Sequence, residues 1–155
     1  MPPEPDLNGG QLVDVRLVGI DFAVKPDFDF DFDGLTFGVD RDVDAALGEE
    51  TSSVILSVTI TWDAEEGRIP PFDLRVRVEG TFEWVVDERE SPEREIGWLK
   101  FNGPYLMWPY ARSHVASITA ACGLPPLTLP TLVVPSLAWI EEDRPVEELE
   151  SAEGG

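Results

Sequence analysis

One cysteine and one histidine in 155 residues close off several chemistries at once. Cys122 alone excludes an intrachain disulfide and a cysteine-built zinc cluster. His114 alone leaves too few parts for a histidine metal centre and makes a Ser/His/Asp triad hard to assemble, so its expected role is that of a helix-surface or packed imidazole. Basic residues are scarce as well. Lys25 and Lys100 are the lysines, the rest of the eleven cations are arginine, and 31 acids bring the net charge to −20. Nucleic acids and anionic lipids are held by Lys/Arg clusters that neutralise phosphate, and a chain this negative offers none, so neither partner is expected. G-x-S-x-G, P-loop and dinucleotide fingerprints are also missing. Carboxylate pairs carry no specificity where acids are everywhere. No enzyme activity, cofactor or metal is therefore expected. Residues 1–10 show no basic n-region followed by an apolar stretch, which argues for a cytoplasmic protein. The acidity itself maintains solubility and names no function.

What the chain does have is an ordinary hydrophobic content of 43% and the length of one domain. Residues 1–10 read as a disordered lead-in, 11–143 as the folded domain and 144–155 as a disordered acidic tail. Gln11–Val24 is dense in Val, Leu and Ile and reads as a first strand. RDVDAALGEET, residues 41–51, reads as a turn-rich acidic connection. Val54, Leu56, Val58, Ile60 and Trp62 alternate along a second clear strand. After GRIPP, Leu74, Val76 and Val78 face one way and Arg75, Arg77 and Glu79 the other, as in an antiparallel sheet with one wet face. DERESPERE, residues 87–95, reads as a charged loop around Pro92.

Residues 104–140 then break with everything before them, since they hold no Asp or Glu and a single formal charge, Arg112. Six prolines in this stretch rule out a membrane span. Pro109 fits the first turn of a helix, Gly123 its C-terminal stop, and Ala111, Val115, Ile118 and Cys122 share a face between them. In the GLPPLTLPTL segment that follows, leucines 124, 127, 129 and 132 alternate with prolines that exclude both helix and central strand. Residues 136–143 are expected to form a short second helix opening at Pro135.

The other unusual stretch is DFDFDFDGLTFGVD, Asp27–Asp40. A calcium loop starting at Asp29 would place Asp31, Asp33 and Gly34 correctly, but its twelfth position is Asp40 where a bidentate glutamate is needed. Phe28, Phe30 and Phe32 argue instead for extended chain with the rings as its working side. Set beside the leucine/proline segment, these rings would make an apolar groove, because large exposed apolar patches rimmed by polar residues mark interaction surfaces.

Trp108-Pro109-Tyr110-Ala111-Arg112, followed by Gly123-Leu124-Pro125-Pro126-Leu127-Thr128-Leu129-Pro130, resembles the signature of the SecB protein-export chaperone family. The similarity in order and spacing extends over roughly residues 12–134. It implies an α+β subunit, a four-stranded antiparallel sheet with two helices on one side, assembled as a homotetramer (a dimer of dimers). Where export members have a long second helix, this chain departs with the much shorter element Pro135–Asp143, so a long helix and a short second helix are expected. It also implies an ATP-independent holdase that binds non-native polypeptide, for export or for protection of an antitoxin in a toxin–antitoxin system. The family's groove regions correspond to the two segments singled out above. Phe28, Phe30, Phe32, Leu35 and Phe37 are thus the expected client-binding residues on one wall, and Leu124, Leu127, Leu129, Leu132 and Trp139 on the other. Pro109, Gly123, Pro125 and Pro126 are assigned to architecture, and Arg112 to a structural hydrogen bond or ion pair. Where export members carry the acidic residues that meet the SecA motor, this chain has Gly19, Ala23 and Arg75, which puts SecA as a partner in doubt. The competing expectation is a non-enzymatic subunit that reuses the fold inside a fixed complex.

Overall fold

The computed structural model describes residues 10–63, 67–84 and 91–132. Among these described residues four strands, β1 (Gly10–Val24), β2 (Thr36–Ala46), β3 (Thr51–Asp63) and β4 (Phe72–Trp84), precede one helix, α1 (Pro92–Ala121). The sheet is antiparallel throughout, in the order β1-β4-β3-β2. Its two central strands obey the expected alternation. Val54, Leu56, Val58 and Ile60 pair with Gly80, Val78, Val76 and Leu74, and these side chains form fully or nearly fully buried rungs. Each such aliphatic side chain contributes about 1.5–3 kcal/mol by leaving water.

The edges are treated differently. Phe37, Val39, Val43 and Ala45 of β2 face the helix and pack on the core, while Asp40, Asp42 and Asp44 are exposed on the opposite face. The segment taken for an acidic connection is therefore an edge strand whose wet face is aspartate, which also deters pairing with another chain. β1 shifts register between Leu12 and Asp14 and again between Leu17 and Gly19, and Val13 and Val18 beside those shifts are exposed.

Helix α1 begins seventeen residues earlier than the expected start at Pro109. Ser91 is its N-cap, its hydroxyl accepting from the Arg94 N–H, with Pro92 in the first turn and Glu93 and Glu95 complementing the positive helix end. The described end of the charged run, residues 91–95, is thus a helix start, and residues 87–90 lie outside the described residues. Residues 95, 99, 103, 107, 111, 115 and 119 recur every fourth position as a buried stripe. Gly103 lets the helix close on β3, where a Cβ would stand 3.1 Å from Val54 Cγ1. Of the face expected for the helix, Ala111 and Val115 are buried and Ile118 packs on the core, but Cys122 is exposed at the C-cap. Thr119 takes the inward position instead. Gly123, at φ 77°, donates to Ala120 O while Leu124 N–H reaches back to Thr119 O, which closes the helix as a Schellman motif.

Pro104 and Pro109 lie inside α1. Each deletes one backbone hydrogen bond and crowds the carbonyl four residues back, at a cost of about 3 kcal/mol in a helix interior. Pro104 is buried and offsets this by packing, whereas Pro109 is exposed. Pro109→Ala is therefore expected to stabilise the fold by about 1–3 kcal/mol, seen as a higher urea midpoint at unchanged slope.

Candidate functional site

β1 and β2 occupy opposite edges, so residues 25–35 cross the end of the whole sheet. They do not form a strand. Asp31 N–H donates to Asp29 Oδ1 and Asp33 N–H to Asp31 Oδ1, both at 3.0 Å, so these aspartates bend the chain into consecutive Asx turns. The Arg68 guanidinium donates to the carbonyls of Asp31 and Asp33, and Lys25 meets Asp73 at 2.7 Å. Among the described residues no group of three or more His, Cys, Asp or Glu side chains is placed to hold a metal.

The phenylalanines do not share one face as the strand reading had them. Phe28 is buried, with its ring 5.0 Å from Phe32 and 5.7 Å from Phe30. Phe32 packs on the core. Phe30 is 62% exposed at φ 61°, a conformation uncommon outside glycine. The alternation broke because the side chains of Asp29 and Asp31 compete for the backbone.

Below the crossover, each strand contributes one aromatic ring to a row. Phe22 lies 5.3 Å from Phe72, Phe72 5.2 Å from Trp62, and Trp62 5.7 Å from Phe37.

The leucine/proline segment is attached to α1 by side chains of the helix. Trp108 Nε1 donates to Pro130 O at 2.7 Å, and Arg112 Nε donates to Leu129 O at 3.0 Å. The Thr119 hydroxyl accepts the Leu127 N–H at 2.9 Å and itself donates back within the helix. Prolines at 125, 126 and 130 leave this stretch too few N–H groups to build a ladder of its own, and the helix supplies the missing partners. Arg112 makes the structural hydrogen bond expected of it.

Strapping the segment down buries part of it. Leu124 and Leu129 are 4% and 1% exposed and belong to the core, which corrects their placement on an open groove wall. Leu127 and Leu132 are partly buried against the core. Between this segment, β2 and Trp108 runs a groove of about 510 Å³ lined by Phe37, Val39, Arg41, Trp108, Thr128, Pro130 and Leu132. Phe37 and Leu132, one from each expected wall, do meet there. Phe28, Phe30, Phe32 and Leu35 are not among the described lining residues, and Trp139 lies outside the described residues, as does the short helix expected at 136–143.

Sequence reasoning missed Val39, Arg41, Thr128 and Pro130 as lining residues, and read Trp108 only as part of the signature motif. The missing signal was the period-two row Phe37, Val39, Arg41, Val43, whose inward face carries one cation. The Arg41 guanidinium lies 5.9 Å from the centre of the Trp108 ring.

A sheet of this order, covered on one face by a long helix with a proline-rich segment tied to it, is an α+β fold of the SecB-like class. The fold matches the Mycobacterium tuberculosis SecB-like chaperone, determined in complex with a ChAD peptide from the HigA1 antitoxin. The TM-score is 0.70 at 21% identity, over 83% of this chain and 94% of that one. In sequence, the protein-export protein SecB of Anaplasma phagocytophilum is 29% identical over 84 residues, 53% of each chain, so the match spans about half the length of that relative. No family model matches the chain. Motif, sequence match and fold agree on the SecB-like family as the one this chain resembles.

Proposed function

We propose that the protein is a cytoplasmic, ATP-independent holdase chaperone that holds non-native polypeptide in the groove between β2, Trp108 and the segment 127–132. The observation that carries this reading is the groove itself: in a chain with 31 acids, none lines it among the described residues, and most of its lining is apolar or aromatic. The SecB-like relatives supply the class of activity, and the antitoxin peptide in the mycobacterial complex supports a polypeptide as the ligand. The same comparison favours an antitoxin client over an export substrate, as does Arg75 on the outer face of β4, where export members are acidic. A homotetramer is part of the proposal. Phe101, Leu106 and Tyr110 are exposed on α1, and Val13, Val18, Ile20 and Val24 on the edge strand β1, so this apolar surface is available for a second copy of the chain.

Nothing in this activity calls for a nucleotide or a metal. The decisive experiment measures binding to several unrelated unfolded polypeptides, alongside mass by light scattering. A holdase binds them all at micromolar affinity or better; a subunit of a fixed complex binds none, and that result would replace the chaperone reading with the structural one.

A further inference from the structure

We infer that Arg41 makes the groove selective for polypeptide segments that carry a carboxylate beside an apolar side chain. This rests on the chaperone reading and sharpens it from general apolar binding to a charge preference.

Three observations carry it. Arg41 is the single charged residue in the described lining of the groove; it shares the face of β2 that carries Phe37, Val39 and Val43, pairs with Val58, and is itself exposed at the groove. Its neighbours in the same row, Val39 and Val43, are apolar and partly buried against the core, so the charge of Arg41 is the exception on this face and stands where it can meet a ligand. Among the described residues Arg41 forms no ion pair, although this chain is crowded with acids. Asp40 and Asp42, adjacent in sequence, are on the other face of the strand and exposed to solvent. The guanidinium rests against the Trp108 ring, which orients it while leaving its N–H fork available for a carboxylate.

The chain's overall field opposes acidic ligands, but that field is distributed and screened beyond about 8 Å at physiological salt. A carboxylate in contact with Arg41 interacts at hydrogen-bond range. The local term therefore sets the preference, and the global field sets its salt dependence: moderate salt weakens the repulsion of an acidic peptide more than it weakens the contact.

Three peptides test this, identical in apolar sequence, blocked at both ends, and differing only by Glu, Gln or Lys at one central position. Affinities are measured by fluorescence anisotropy at physiological salt. The wild-type protein is expected to prefer Glu to Lys by about fivefold or more, with Gln between. In Arg41→Gln the Glu-to-Lys ratio should fall to about one or below, and in Arg41→Lys most of it should remain, since charge is kept while the fork is lost. Because the readout is a ratio within one variant, a general change in affinity cancels. A wild type that binds the Gln peptide but does not separate Glu from Lys overturns the inference and leaves the chaperone reading standing. A ratio that survives in Arg41→Gln also overturns it. Failure to bind even the Gln peptide overturns the chaperone reading, and the inference with it.

Discussion

Replacing Phe37 and Leu132 together by aspartate is expected to abolish suppression of client aggregation while the sheet and helix persist. The two side chains come from the opposite walls of the groove and are only partly buried, so the fold can carry the change. Each contributes apolar surface to a bound segment, and losing both contacts removes about 3 kcal/mol. That is a weakening of about 100-fold, before the cost of setting two carboxylates against an apolar ligand. Light scattering of an aggregating client reads the loss, and circular dichroism checks the fold. Unchanged suppression by a folded double variant would move the binding site elsewhere. Leu124 and Leu129 are the wrong positions for this experiment, because aspartate there would enter the core.

Trp108→Ala is expected to have the largest effect on stability of any change at the site, about 3–5 kcal/mol. The residue is 3% exposed, its indole N–H holds Pro130 O, its ring forms the floor of the groove, and Arg41 packs over it. Removing the ring leaves a cavity and releases one of the three attachments of the proline-rich segment, so client binding should be lost along with stability. Trp108→Phe separates these contributions. It keeps a ring in the floor but loses the hydrogen bond, at a net cost of about 1 kcal/mol, because the Pro130 carbonyl sits on an exposed residue and can turn to water. Urea denaturation of both variants should give clearly different midpoints. Equal midpoints would mean that the ring adds little beyond its N–H.

The central strands were legible because burial on one face imposes a period of two that no other structure produces. β2 obeys the same rule, but with aspartate on its wet face it resembles a connection. Recognising it requires reading Phe37, Val39, Val43 and Ala45 as a row. The first half of α1 was hidden for a related reason: Glu93, Arg94 and Lys100 occupy its solvent side, the buried stripe itself opens on a charged residue, Glu95, and Pro104 and Pro109 look like boundaries when only the i, i+4 stripe from Glu95 to Thr119 reveals the continuous helix. The motif around Trp108 and Gly123 pointed to the proline-rich segment that lines one side of the groove. Which of its leucines face the groove depends on how tightly the segment is tied to the helix, and bonds from side chains to backbone leave no periodic trace in sequence. The Asp/Phe stretch is the opposite case, where a visible pattern misleads because aspartate competes for the main chain.

The three attachments made by Trp108, Arg112 and Thr119 all end on backbone atoms of residues 127–130. A main-chain grip does not depend on which side chains the gripped segment carries. The exposed Thr128 and the partly exposed Leu132 can therefore be exchanged without loosening the wall they stand on, and under the proposed chaperone function the range of clients can be retuned by substitution at the rim while the scaffold beneath stays fixed.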